Sequence, residues 1–196
     1  NSKINFYNIS LRNFVKNLNK KTFDKIVFFK TLHHIPNLNN TLKSLQKIMK
    51  KKSKIIIVEP VRKNFEIENA AIAFLIRIMS DTWISKNKKL RKVDYKSIEK
   101  QIENVYQEYQ YIIKDKKQQS PLDNVTDDFE KILKNLKLNF TIEKLLFDDA
   151  FKDKIVGGIR GKNLKKNIEL INNLDKYLIN HKILKGSTVK IVAKIK

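Results

Sequence analysis

The amino-acid sequence predicts an α/β fold, and three observations carry this prediction. Two mostly apolar runs, at 25–29 and 55–58, lack the alternation of a strand with one wet face and therefore suit strands buried on both faces of a parallel sheet. Between them, Leu38, Leu42 and Leu45 recur at helical spacing. A strand, a helix and a strand within about 35 residues form a βαβ unit, so we expect the two strands to be parallel.

The other elements are predicted from apolar spacing and from turn residues. Pro36 ends the first run, and the lysine-rich stretch 50–54 indicates a turn before the second. Thr126, followed by two aspartates, is a suitable N-cap for a helix that carries the apolar residues of 129–136. In chain order, the remaining predictions are a strand at 4–7, helix throughout 64–117, an alternating strand at 140–147, a helix at 163–180 and a strand at 188–195.

Length and composition exclude several classes of protein. The chain has 196 residues, enough for one domain with a core of its own. It contains 4 glycines, 3 prolines and no cysteine, which excludes low-complexity chains, disulfide frameworks, thiolate metal sites and a cysteine nucleophile. The longest apolar stretch, 70–76, is far shorter than the roughly 20 residues of a membrane span. We therefore expect a soluble, cytoplasmic protein.

The formal net charge of +22 is the most unusual feature of the composition. Of the 42 basic residues only five are arginines, and these are the side chains best suited to bidentate recognition of phosphates and bases. The lysines are spread along the chain. We therefore interpret the charge mainly as a compositional bias of the surface, and a nucleic-acid partner remains open but not favoured. Attraction to acidic partners at low salt follows in either case.

Three short motifs occur in order: Phe23-Asp24 before the first apolar run, Leu32-His33-His34 after it, and Glu59-Pro60 after the second run. Together they resemble the fourth strand, its following loop and the fifth strand of class I S-adenosylmethionine-dependent methyltransferases. Residues 126–147 and 188–196 resemble the late helix, the sixth strand and the antiparallel closing strand of that family. The resemblance implies a Rossmann-like methyltransferase sheet, with 1–196 as a partial domain and a helical insertion or lid at about 64–120.

The sequence departs from the family pattern at the cofactor site. The opening strand, its Gly-rich loop and the acidic residue that binds the ribose are absent, and Ser10 stands where an aspartate usually reaches the adenine. Loss of these contacts implies an affinity for cofactor lower by roughly 10² to 10⁶. We therefore expect an N-terminally incomplete domain, and the sequence upstream of Asn1 would test this expectation most directly. In such a domain the apolar edge strand at 25–29 can associate with a partner or a second copy.

The resemblance implies a site that uses S-adenosyl-L-methionine as cofactor. Its cofactor-binding residues are Ser10, Leu11, Phe29 and Lys30, with the Phe29 carbonyl and the Leu11 N–H facing the adenine. His33 or His34 is the candidate general base, since imidazole takes up a proton near neutral pH. The candidate substrate-binding residues are Glu59, Trp83 and Tyr106.

Each of these residues also has a plainer interpretation in core packing or loop structure. The histidines are not predicted to form a metal site, because adjacent side chains point apart and no third ligand is apparent. The predicted function is transfer of a methyl group from S-adenosylmethionine to a small-molecule acceptor by in-line displacement. Two alternatives stay open: a non-catalytic remnant or partner-completed binding module, and an RNA methyltransferase.

Overall fold

The domain is built on one four-stranded mixed sheet. The computed structural model describes residues 4–18, 22–79, 94–110 and 129–196. In the described residues the strands are β1 (Phe23–Phe29), β2 (Met49–Pro60), β3 (Phe140–Asp148) and β4 (Thr188–Ile195), arranged in the order β1-β2-β4-β3. β1 and β2 are parallel, whereas β4 runs antiparallel to both β2 and β3. The predicted α/β class, the parallel pair and the antiparallel closing strand are all confirmed.

The parallel pair is longer than the sequence indicates. Ile26 pairs with Ile55 and Phe28 with Ile57, as expected of the two apolar runs. The predicted turn at 50–54 is wrong, because those residues are part of β2. The lysine side chains reach solvent from an extended backbone, while the buried hydroxyl of Ser53 donates to the Phe23 carbonyl at 2.5 Å. The register against β1 shifts within this stretch, since Phe23 pairs with Met49 and Lys25 pairs with Lys54.

Six helices are described: α1 (Leu11–Lys16), α2 (Leu38–Ile48), α3 (Ile67–Met79), α4 (Tyr95–Gln110), α5 (Phe129–Asn139) and α6 (Leu164–Asn180). α2 connects β1 to β2 and gives the predicted Rossmann-like βαβ unit. Residues of α1, α2 and α5 share one core with one face of the sheet, which presents Phe28, Ile55, Ile57 and Ile191. No described helix is both long and apolar enough to span a bilayer.

A second core lies apart from the first. Side chains of α3, α4 and α6 meet those of the segment 150–159 that follows β3. Within this core the ring of Tyr109 stacks on Phe65 with 4.1 Å between centroids, and its hydroxyl donates to the Ser187 carbonyl at 2.9 Å. α3 and α4 lie inside the region for which a helical insertion is predicted, and the boundaries of that insertion stay a prediction.

Two further predictions differ from the structure. Residues 4–7 form no strand: they have no regular secondary structure and are exposed, and none of the four described strands pairs with their backbone. The helix predicted throughout 64–117 begins only at Ile67, and a new helix begins after Asp94, whose carboxylate accepts the Ser97 N–H at 2.9 Å. Thr126 lies outside the described residues, as do 80–93 and 111–125.

Candidate functional site

The candidate site lies at the carboxyl end of β1, where the chain turns toward α2. The Lys30 N–H still pairs with the sheet and donates to the Val58 carbonyl at 2.7 Å. Lys30 then adopts a left-handed backbone with a φ of 51°, which is uncommon for a residue with a side chain. This turn carries the chain away from the sheet into a single 3-10 turn at Leu32–His34.

A buried carboxylate at the end of β2 holds this turn. Glu59 is fully buried, and its Oε1 atom accepts the backbone N–H groups of Thr31 and Leu32, each at 2.7 Å. Its Oε2 atom lies 2.5 Å from Nδ1 of His33. A carboxylate this deep requires such partners, because an unpaired buried charge costs several kcal/mol. Glu59 therefore fixes both the backbone of the loop and the ring of His33.

A cavity of about 880 Å³ opens beside this loop. The start of α1 contributes Ser10 and Leu11, and the end of β1 contributes Phe28. Thr31 and His34 form the wall on the loop side, and the first turns of α2 close the cavity. Small-ligand pockets usually measure about 300–1,000 Å³, so this cavity can hold a molecule of nucleoside size.

The structure brings together some of the predicted cofactor residues. Ser10 and Leu11 line the cavity, and the Ser10 hydroxyl also caps α1 by accepting the Asn13 N–H at 3.3 Å. Phe29 and Lys30 lie outside the cavity wall. Phe29 is 65% exposed, and the Lys30 ammonium lies 2.9 Å from Oδ2 of Asp153. Only main-chain groups of these two residues are left for the predicted role, which stays a prediction.

The two histidines occupy different positions. Their rings are in contact, with 3.9 Å between centroids. His33 is buried beside Glu59, whereas His34 is half-buried and forms part of the cavity wall. His34 is therefore the histidine that a ligand in the cavity can reach.

The predicted substrate residues do not converge at the cavity. Glu59 is buried with both carboxylate oxygens engaged, and Tyr106 is half-buried in the second core. Trp83 lies outside the described residues. Sequence reasoning missed Arg12, Thr41 and Ser44, which also line the cavity. Thr41 and Ser44 could have been found from the helical spacing of α2, because each directly precedes a leucine of the first core, Leu42 or Leu45.

Three aspartates form a separate cluster after β3. Oxygens of Asp148, Asp149 and Asp175 lie close enough to hold a cation, but Nζ of Lys152 already lies 2.6 Å from Asp149 and 3.3 Å from Asp148. Burial alone lowers the pKa of Lys152, yet the hydrogen bond to Asp149 and the three carboxylate charges outweigh it and raise that pKa above its ordinary value. A lysine ammonium thus takes the position of the cation.

The chain matches no protein-family model and no curated protein. Among solved structures it is similar to a SAM dependent methyltransferase from Archaeoglobus fulgidus, with 18% identity and a TM-score of 0.48 over 98% of this chain and 68% of that chain. It is also similar to the PH0226 protein from Pyrococcus horikoshii OT3, with 14% identity and a TM-score of 0.32 over 93% of this chain and 57% of that chain.

A further similar structure is PKMT2 from Rickettsia typhi in complex with AdoHcy, with 14% identity and a TM-score of 0.33. This match covers 93% of the chain described here and 38% of PKMT2. All of these TM-scores lie below 0.5.

Proposed function

We propose that this chain contributes a nucleoside-binding site for S-adenosyl-L-methionine and transfers its methyl group to a small-molecule acceptor. The observation that carries the proposal is the cavity of about 880 Å³ at the carboxyl end of β1. Open α/β sheets bind their ligands at the carboxyl ends of parallel strands. The resemblance of the Leu32-His33-His34 and Glu59-Pro60 motifs to class I methyltransferases selects the ligand class.

The cavity wall fits the adenosine part of this cofactor. Leu11, Val15 and Phe28 offer apolar surface to a purine, while Ser10 and Thr31 offer hydroxyl groups at its edge. The Leu11 N–H at the start of α1 is a further polar group for the base. None of the described cavity-lining residues is a carboxylate, so no acidic side chain of the described cavity wall is placed to hold the ribose hydroxyls.

When bound, S-adenosylmethionine supplies an activated methyl group, so the chain has to align the acceptor rather than activate the donor. His34 is the residue proposed to take up the proton of a hydroxyl or amine acceptor, because its ring reaches the cavity. His33 is proposed to support the ring of His34 from behind, held in turn by Glu59.

The second candidate function is binding of an adenosine ligand without catalysis. The missing carboxylate in the described cavity wall favours it, since neutral contacts to a ribose are weaker than charge-assisted ones. A measurement of methyl transfer distinguishes the two candidates, because a binding module binds the ligand without transferring its methyl group.

Calorimetric titration with S-adenosylhomocysteine tests the site. Ser44→Trp fills the cavity from α2 and is expected to abolish the heat of binding, whereas Lys43→Trp, an exposed neighbour on the same helix, is expected to retain it. No heat with the unmodified chain, or equal heat in both variants, would overturn the proposed site.

Transfer from a radiolabelled donor to a panel of small acceptors tests the catalytic part. Loss of a general base usually costs about 10²-fold or more in rate, so His34→Ala is expected to slow transfer by about that factor when the donor saturates the site. Binding without any transfer by the unmodified chain would establish the second candidate instead.

A further inference from the structure

The segment after β3 meets the same edge of the sheet at which the cavity opens. β1 and β2 are parallel, and β4 runs antiparallel to both β2 and β3, so the carboxyl ends of β1, β2 and β3 share this edge. The Lys30 ammonium reaches from the end of β1 to Asp153, at 2.9 Å from Oδ2. Thr31, the next residue, lines the cavity. Lys154, which follows Asp153, therefore lies close to the strand end beside which the cavity opens.

The ammonium of Lys154 is partly withdrawn from water and has no carboxylate beside it. The residue is half-buried, and its Nζ atom lies over the ring of Tyr109 at 4.0 Å from the centroid. No carboxylate oxygen of the described residues lies within ion-pair distance of this nitrogen. An aromatic face attracts an ammonium but offers no oxygen to its N–H donors.

The pKa of Lys154 agrees with this environment. Burial is the main cause that lowers this pKa below its ordinary value. Two nearby cations act in the same direction, and two nearby carboxylates oppose them without restoring the ordinary value. The environment of the amine therefore disfavours its charged form, and a bound anion would favour that form.

The charges around Lys154 do not balance. Asp153 pairs with Lys30, and Glu108 lies 3.1 Å from Nη1 of Arg77. Nη2 of Arg77 donates to the Lys154 carbonyl at 3.1 Å, which holds this arginine beside the segment. Each of these two carboxylates has a cation of its own. Among the described residues of this cluster, three cations therefore accompany two carboxylates, and Lys154 is the cation that lacks one.

One unmatched ammonium fits a ligand group with a single negative charge. A carboxylate brings that charge together with oxygen acceptors, and charge-assisted hydrogen bonds of this kind are strong. A phosphate monoester carries about two negative charges at neutral pH, and the second charge would lie near Asp153 and Glu108. The charge balance therefore favours a carboxylate over a phosphate.

We propose that Lys154 binds the carboxylate of the methyl acceptor, which makes the acceptor a small carboxylic acid with a separate hydroxyl or amine group. This inference rests on the proposed function, because it names the class of acceptor for the same site. Lys154 acts as a binding residue that holds one end of the acceptor. The other end then lies at the carboxyl end of β1, on the side of His34.

Direct binding to the full chain tests the carboxylate contact without any methyl transfer. The probes are para-hydroxybenzoate and para-hydroxybenzamide, which have nearly the same shape and differ in charge. We expect the benzoate to bind at least about tenfold more tightly, because its hydrogen bond with the ammonium is charge-assisted. In resonance spectra of the chain with isotope-labelled lysine, the benzoate should raise the pKa of the Lys154 amine. The ring of Tyr109 sets this resonance apart from those of the other lysines.

Three variants locate the contact. Lys154→Gln removes the ammonium and is expected to abolish the preference for the benzoate. Lys154→Arg keeps the charge and should retain most of the preference. Lys162→Gln removes a charge of the same sign at an exposed position nearby in the chain, and at about 0.15 M salt it is expected to change nothing. Circular dichroism verifies that each variant is folded.

Several results would overturn the inference. One is the absence of benzoate binding, or equal affinity for the benzoate and the benzamide. Another is a preference that Lys154→Gln leaves unchanged. An equal loss in Lys154→Gln and Lys162→Gln would indicate attraction by net charge alone. Tighter binding of phenyl phosphate than of the benzoate, dependent on Lys154, would assign the ammonium to phosphate ligands instead.

These results are distinct from those that test the proposed function. Heat of binding with S-adenosylhomocysteine, together with no preference for the benzoate, would refute the inference and leave the proposed function standing. A preference for the benzoate that depends on Lys154, in a chain that gives no heat with S-adenosylhomocysteine, would support carboxylate binding and refute the proposed function.

Discussion

The Nδ1 atom of His33 lies 2.5 Å from one carboxylate oxygen of Glu59, and the other oxygen accepts two backbone N–H groups from the residues just before that histidine. One buried side chain at the end of β2 thus holds three groups of the loop that follows β1. The two strands are neighbours and parallel, so their carboxyl ends bring these groups together. The shape of the cavity wall depends on this pair.

Replacement of Glu59 should therefore unfold the domain more easily. Glu59→Ala leaves His33 and two buried N–H groups without their acceptor, and we expect the free energy of unfolding to fall by about 3–5 kcal/mol. Glu59→Gln keeps one oxygen for the N–H groups of Thr31 and Leu32 and should cost clearly less. Urea denaturation measures both variants, and equal losses would contradict the separate roles given to the two oxygens.

Gly186 should tolerate no side chain. A Cβ atom at this position would lie 2.6 Å from the Asp148 nitrogen and 2.8 Å from the Phe147 carbonyl carbon, both of them backbone atoms of β3. Gly186→Ala is expected to lower the free energy of unfolding by about 1–3 kcal/mol through overpacking. Gly157→Ala is the matched control, since nothing lies within 4 Å of its Cβ, and thermal unfolding should show little change for it.

Asp175 should be the main support of the segment after β3. Its buried carboxylate accepts the N–H groups of Ala150, Phe151 and Lys152 at 3.2, 2.9 and 3.1 Å. Asp175→Ala leaves these donors without an acceptor, and a loss of about 3 kcal/mol or more in unfolding free energy is expected. Asn173→Ala, at an exposed position of the same helix, should be close to neutral. A neutral Asp175→Ala variant in urea denaturation would refute this assignment.

Asp148 should contribute to acid sensitivity. Burial raises its pKa, but the hydrogen bond from Lys190, the N–H of Asp149 and the charge of Lys152 outweigh burial, and the net pKa lies below the ordinary 3.8. Since the folded-state pKa is depressed, the stabilisation is present above the unfolded pKa and is lost as the pH falls through the folded one.

The pH dependence of unfolding tests this assignment. Between about pH 5 and about pH 2, Asp148→Asn should flatten the fall in urea midpoint that the unmodified chain shows. Asp24→Asn, which removes an exposed pair with Lys50, should leave the slope unchanged, because exposed ion pairs contribute little. A slope identical in the unmodified chain and in Asp148→Asn would count against the prediction.

The sequence could predict the parallel pair because both runs at 25–29 and 55–58 are apolar at consecutive positions, a pattern that follows from local spacing. It could not predict that 50–54 extend β2, since a run of lysines has no apolar alternation to indicate a strand. The exposure of Val27 and Phe29 could not be predicted from the sequence either. Consecutive apolar residues indicate two covered faces, and in the described structure only one is covered.

The candidate site was predicted in part. His34 lies at the cavity because it follows the end of β1, whereas Ser10 and Leu11, which the family resemblance selected, reach the cavity from the start of α1. The engagement of Glu59 could not be predicted, because its three partners lie 26 to 28 positions earlier in the chain and are brought close only by the βαβ crossover. Long-range contacts of this kind leave no trace in local periodicity.

The ammonium of Lys152 among three aspartates has a consequence for the ionic requirements of the domain. A dissolved ion stabilises a protein in proportion to the logarithm of its concentration, whereas a counter-ion tethered by a covalent side chain is always present. The segment after β3 therefore needs no divalent ion from solution to neutralise its aspartates, and a chelator should not lower the stability of this segment.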